Sequence, residues 1–213
     1  MVTMTALDRV VRQAGDPALL DRLAGLPGTD LTTLLLRVMS QRTERLTPAE
    51  VLRRYREDRF VMPAAVPFDR LRATEDRLLS LLPKQFQLLT LAPLTPLGAH
   101  SVIGSVHQDK VLTTVRGNEV AADATNGLTL AAADRRHQAL AADPRSPEPV
   151  RLATVQRVVR AQRFAPGRLA HFGLMGVVSA GRDTGDLTFE RAHVVEHVRF
   201  LAAALRIRPD DGV

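Results

Sequence analysis

Residues 152–176, LATVQRVVRAQRFAPGRLAHFGLMG, decide how the chain is read. A strand sends successive side chains to opposite faces. In the first run Gln156, Val158, Arg160 and Gln162 therefore share one face, and Val155, Arg157, Val159 and Ala161 the other. The Pro166-Gly167 pair then breaks the run as a turn signal. A second run follows with Phe172, Leu174 and Gly176 on a common face. Two strands joined in this way can bring Arg160, Arg168 and Phe172 to one place. Guanidinium forks match phosphate oxygens, and an aromatic ring is a plate on which a base can stack. Read alone, the same residues also describe an ordinary hairpin with arginines on its surface.

The stretch resembles motif 2 of the class II aminoacyl-tRNA synthetases, whose pattern is Phe-Arg-x-Glu, a loop, then His/Arg-x-x-x-Phe. Here the pattern is Val159-Arg160-Ala161-Gln162 followed by Arg168-x-x-x-Phe172, and the Gly167-Arg168 wording is closest to the histidyl branch. The resemblance implies roles. Arg160 would make the catalytic α-phosphate contact, Arg168 would hold the outer phosphates, and Phe172 would stack on adenine, with Gln162 beside them. ATP and Mg2+ are the cofactors so implied.

Two more segments fit the same order. Phe68 to Leu82 carries Leu71, Leu78, Leu79 and Leu82 at helical spacing, turns at Pro83, and leads into a strand from Phe86 to Leu91 that ends at Pro93. This resembles motif 1 and implies a homodimer through residues 68–93. Between the two motifs, Gly117 to Thr125 resembles the Leu-Arg-Pro-Glu-Gly-Thr segment of the histidyl branch. Asp123 and Thr125 retain the acid and the threonine, while Ala121 replaces the arginine. The resemblance places Asp123 and Thr125 at the amino-acid pocket, with the acid holding an ammonium. The alternative is that both residues cap the helix that runs through Ala133.

The resulting fold expectation is α+β: an antiparallel sheet flanked by helices over residues 63–213, preceded by a helical segment over 1–62. In that segment Asp16-Pro17 and Thr47-Pro48 place cap residues before a proline suited to a first helical turn. Thr47 with Glu50 has capping-box spacing, and Leu31, Leu34, Leu35 and Met39 form an apolar stripe. These helices would be a cap on the main domain or an arm that binds a partner. Pro63 to Pro67 marks the boundary. Near the C-terminus, Thr188 would cap a last helix with Val194, Val198, Leu201 and Leu205 inward.

The composition narrows the function classes. The chain has 213 residues, enough for a substantial core. It contains no cysteine, which excludes disulfides, zinc–thiolate sites and a Cys nucleophile. No run approaches a membrane span and no signal-peptide pattern opens the chain, so the expected address is the cytoplasm. The net charge of +6 comes from arginines interspersed with acids rather than from blocks. Solvated helix faces account for that better than a nucleic-acid stripe.

Two histidine clusters suggest other chemistries. His193-Val-Val-Glu196-His197 fits an inverted zinc-peptidase pattern, but it lacks a downstream acidic ligand other than Asp210 and Asp211. It reads as a structural histidine pair. His100 and His107 lie near Ser101 and Ser105 without a Gly-x-Ser-x-Gly elbow. No phosphate-binding glycine motif is present. Three departures set the chain apart from a working ligase of the class: Gln162 stands where motif 2 has glutamate, Leu174 where the histidyl branch has glutamine, and no Gly-x-Gly-x-x-Arg motif 3 precedes Val213. The expectation is a domain binding ATP, an adenylate or a small amino-acid-like ligand, and not a complete tRNA synthetase. The alternative is a regulatory or scaffolding paralogue serving a partner enzyme, as in the histidyl-like regulatory subunit of ATP phosphoribosyltransferase.

Overall fold

The computed structural model describes residues 5–165 and 169–206. The chain forms two compact units, one of residues 1–53 with 115–117, the other of residues 54–114 with 118–213.

The first unit is helical: α1 (Ala6–Ala14), α2 (Leu19–Ala24), α3 (Gly28–Thr43) and the start of α4 (Pro48–Glu57). Local chemistry sets the ends. Thr5 and Asp8 form a reciprocal capping box on α1, and Gly15, at φ 67°, closes it in the left-handed region. Thr47 and Glu50 do the same for α4, with Thr47 N–H donating to Glu50 Oε2 at 2.8 Å. Asp16 acts one step earlier than expected. It accepts from Ala18 N–H at 3.0 Å, and α2 starts only at Leu19. None of the residues described in α1, α2 or α3 is buried. In α3 the apolar stripe splits, with Leu31 and Leu35 half-buried and Leu34 and Met39 exposed.

The second unit is α+β. Its centre is the antiparallel pair β4 (Val150–Val159) and β5 (His171–Ala180), joined at the other edge of β4 by the parallel strand β1 (Gln87–Leu88). A second, two-stranded sheet pairs β2 (Leu94–Pro96) with β3 (Asn118–Val120). β1 is shorter than the run Phe86–Leu91 suggests, because side chains take over its pairing. Leu89 N–H still reaches Ala153 O at 2.8 Å, but beyond it Thr154 Oγ1 donates to Leu89 O and Gln156 Nε2 to Ala92 O. Pro93 then has no N–H to offer a ladder.

Leu152, Thr154, Gln156 and Val158 share a face with their partners Val178, Gly176, Leu174 and Phe172. Helix α6 (Ala124–Ala142) packs on that face and forms the core of Leu128, Ala132 and Leu152 with Leu89, Leu91, Val150 and Val178. Gly176 lets the helix approach: a Cβ there would lie 3.2 Å from Ala124 Cβ and 3.3 Å from Leu128 Cδ1. Helices α5 (Phe68–Ser80) and α7 (Thr188–Ala204) lie on the opposite face. Gly173 faces Leu71 and Glu75 of α5. Arg151 and Ser179 bond to Glu196 and His197 of α7, at 3.1 and 2.9 Å.

α7 is turned relative to the sequence expectation. Its buried residues are His193 and Phe200, while Val194, Val198, Leu201 and Leu205 are half or more exposed. The reason lies in the sheet. The strand face under α7 presents Arg151 and Ser179, and these select the polar side of the helix. Leu187, not Thr188, occupies the cap position, at φ 55°. Among the described residues no helix is long and apolar enough to cross a membrane.

This arrangement separates two kinds of leucine and valine. Leu128→Ala is expected to cost about 2–5 kcal/mol, because it empties a fully buried site. Val198→Ala, on the exposed side of α7, is expected to stay within about 0.5 kcal/mol in the isolated chain. Urea unfolding of both variants checks the contrast.

Candidate functional site

The end of β4, the start of β5 and the N-terminus of α6 meet beside the segment 98–111. A cleft of about 250 Å³ opens there, lined by His100, Val106, Lys110, Ala122, Asp123, Arg160 and Gln162. Strand pairing continues one step past β4, since Arg160 N–H donates to Ala170 O at 2.8 Å. That step aims the Arg160 side chain at the α6 terminus. Its Nε donates to Ala122 O at 3.0 Å and its Nη2 to Asp123 Oδ2 at 3.1 Å. The guanidinium carbon also lies over the Phe172 ring, 5.3 Å from the centroid, within cation–π range. Phe164 meets Phe172 edge-on, with centroids 6.5 Å apart.

Asp123 caps its helix, the alternative raised by the sequence, and it also makes a contact the sequence did not suggest. Its Oδ1 accepts from Thr125 N–H at 2.9 Å and from Thr125 Oγ1 at 2.7 Å, which caps α6, and its Oδ2 holds Arg160. Gln162 lines the same cleft and its carbonyl accepts from Arg59 Nη1 at 2.9 Å. Arg59 Nη2 also donates to Ala161 O. The structure thus gathers Asp123, Thr125, Arg160, Gln162 and Phe172, while Arg168 lies outside the described residues. Arg157, one position off register, points to the other face and donates to His171 Nδ1 from Nε at 3.1 Å.

Sequence reasoning missed the groups that hold the wall of the cleft. His100 and Glu119 are both fully buried. His100 Nε2 accepts from the N–H groups of Ala122 and Asp123, at 2.8 and 3.2 Å. An accepting Nε2 leaves the ring proton on Nδ1, which donates to Glu119 Oε1 at 2.7 Å. Glu119 also accepts from His100 N–H at 2.8 Å, Gly98 N–H at 3.2 Å and Gln108 Nε2 at 2.9 Å. Burial by itself raises this carboxyl. The bonds from Gln108, from His100 backbone and side chain, and from Gly98 outweigh it and lower the group to about 2. The backbone around it is irregular: Gly98 at φ 91°, a single π-helical turn over Ala99–Ile103, and Ser105 at φ 53°. No short motif announces the pair, because its members are separated in sequence and meet only through β3. With both ring nitrogens engaged, His100 cannot serve Ser101 or Ser105 as a base.

The two histidines of α7 diverge. His193 Nδ1 faces Glu196 Oε2 at 3.2 Å, and His197 Nε2 faces Ser179 Oγ at 2.9 Å. Glu196 is tied to Arg151 and Gln85 as well. Among the described residues no group of three His, Cys, Asp or Glu side chains is set to hold a metal.

No family model and no curated protein matches this chain. Among solved structures, it is similar to an ATP phosphoribosyltransferase regulatory subunit/histidyl-tRNA synthetase from Bacillus halodurans C, at 18% identity and a TM-score of 0.48, over 68% of this chain and 37% of that one. It is also similar to the pyrrolysyl-tRNA synthetase PylSc of Desulfitobacterium hafniense, at 16% identity and a TM-score of 0.49, over 75% of this chain and 51% of that one. A second pyrrolysyl-tRNA synthetase structure from that organism gives 17%, 0.49, 75% and 53%. The chain thus spans roughly a third to a half of the length of these proteins.

The geometry of Glu119 sets a pH dependence. Its folded value lies below the ordinary 4.5, so its stabilisation is present above about pH 4.5 and is lost as pH falls toward 2. The loss expected is roughly 2–4 kcal/mol. Denaturation curves between pH 6 and pH 2 are expected to show a shallower acid loss for Glu119→Gln than for the wild type.

Proposed function

We propose that the second unit is a class II synthetase-like core that binds a nucleotide or a small amino-acid-like ligand beside Arg160. The observation that carries this reading is the junction of Asp123, Arg160 and Phe172. Two separated sequence segments that resemble the substrate-binding parts of one family supply these residues, and they meet at one cleft. In this reading Arg160 and Arg168 hold phosphate oxygens, Phe172 supplies a ring face for a base, and Asp123 with Thr125 meets an ammonium. ATP, when bound, would supply an activated α-phosphate for attack by a carboxylate. Mg2+ would arrive on the phosphates, since the described acids near the cleft, Asp123 and Glu119, are already engaged.

A specific observation favours a second reading, a regulatory or scaffolding paralogue that serves a partner enzyme. Asp123 is satisfied on both oxygens by its own chain, and Arg160 is held by Ala122 and Asp123. The cleft is also smaller than the roughly 300–1,000 Å³ usual for ligand pockets. A site so closed on itself needs no ligand to remain ordered.

Calorimetric titration separates the readings. Arg160→Ala is expected to weaken ATP or adenylate-analogue binding about ten- to a hundredfold, the worth of a charge-assisted contact. Arg157→Ala is expected to leave binding unchanged, because that side chain faces away. Asp123→Asn discriminates the ligand class. Releasing Arg160 from its carboxylate should strengthen binding of a phosphate alone, whereas a ligand with an ammonium should bind more weakly. No binding of ATP or adenylate analogue by the wild type at millimolar concentration leaves the regulatory reading.

We also propose that residues 68–93 form a homodimer surface, as the motif 1 resemblance implies. Phe68 and Leu88 are exposed along it, at 72% and 50%. Light scattering at high micromolar concentration is expected to show dimers that Leu88→Glu weakens.

A further inference from the structure

Helix α7 carries an apolar seam on the side that faces away from its sheet. Val194, Val198, Leu201 and Leu205 follow one another at spacings of four, three and four residues, the alternation of a two-helix seam. All four are at least half exposed, and Val195 beside them is 46% exposed. The polar residues that would normally keep such a surface in water are used inside. His193, Glu196 and His197 bond to one another, to Arg151, to Gln85 or to Ser179. The helix is thus inside out with respect to its own unit.

We infer that α7 pairs antiparallel with α7 of a second copy of this chain, with Val198 of each copy against Leu201 of the other and Val194 against Leu205.

Three features select this occupant and this direction. The first is shape. The antiparallel register places one valine opposite one leucine in each of four layers, so the layers have equal volume. A parallel pair would stack valine on valine and leucine on leucine. The second is charge. One turn before Val194 the seam continues to Arg191. A parallel pair sets the two Arg191 guanidiniums face to face, whereas the antiparallel pair puts them at opposite ends, outside the four layers. Of the flanking positions between Val194 and Leu205, Val195, Ala202 and Ala204 carry no charge that would select a different helix, and His197 is turned inward onto Ser179. The third is area. The five exposed side chains offer at most roughly 500 Å² per copy, so a pair covers no more than about 1,000 Å², the lower edge of a specific interface. Val195, at the edge of the surface, shares a cleft with Leu81, Pro83 and Gln85, whereas Val194, Val198, Leu201 and Leu205 do not line it, and the pairing does not depend on ligand binding.

The absence of native cysteine allows a direct test. Val198→Cys and Leu201→Cys are prepared separately in the full chain, then oxidised alone and as an equimolar mixture. A disulfide-linked dimer in the mixture, and none in either variant alone, is the expected result. Linked dimers in the single variants would mean parallel pairing and overturn the register. No linkage in any sample at 100 micromolar would overturn the inference altogether. Sedimentation provides the second readout. Val198→Glu, at an exposed position and with folding checked by circular dichroism, is expected to weaken α7 self-association at least tenfold in a Leu88→Glu background. An unchanged mass distribution would count against the seam.

Discussion

The wall of the candidate site depends on one carboxylate kept out of water. Removing an ionised carboxylate from solvent is costly unless donors replace the hydration shell. Glu119 obtains them from four groups: Gly98 N–H, His100 N–H, His100 Nδ1–H and Gln108 Nε2. Three of these lie on a π-turn and a left-handed glycine, conformations that would not persist unaided. The chain bends tightly because the carboxylate collects its donors, and the carboxylate stays charged because the bend presents them. Removing either side leaves the other unpaired.

His100 extends that constraint to the site. Its second nitrogen accepts the N–H groups of Ala122 and Asp123, which begin helix α6. Residues 122 and 123 are also the ones that Arg160 grips, through a carbonyl and a carboxylate. One line of hydrogen bonds therefore runs from Glu119 through His100 and the 122–123 backbone to the guanidinium over Phe172. Each member fixes the orientation of the next, so the junction is held from behind by the buried Glu119 and His100.

What was legible in the sequence follows from which patterns are local. Period-two alternation needs only neighbours, so the faces of β4 and β5 could be read, including the opposite directions of Arg157 and Arg160. Helix caps need only a few neighbouring residues, and both the Thr47–Glu50 capping box and the Asp123 cap on Thr125 could be found. The closure of Glu119 on His100 needs a separation of 19 residues and a π-turn, and no spacing rule encodes that. α7 shows a different limit. Its apolar stripe is real, but a stripe says only that a helix has two unlike sides. Which side goes inward is set by the surface beneath, and Arg151 and Ser179 on the strands make the polar side the better fit.

The Arg160–Asp123 pair makes the site's electrostatics asymmetric. Both side chains remain about one-third exposed, at 32% and 31%, so their attraction is partly screened and worth little by itself. Geometry holds the pair more firmly than charge does, because Thr125 fixes Asp123 and Ala122 fixes Arg160 independently. A phosphate approaching the guanidinium would have to share it with a carboxylate already in position, and the two anions would repel each other. A zwitterion meets no such conflict: its carboxylate can approach Arg160 while its ammonium relieves Asp123. In the proposed reading, charge balance would favour a small ligand that carries both signs over a polyphosphate for as long as Asp123 holds Arg160.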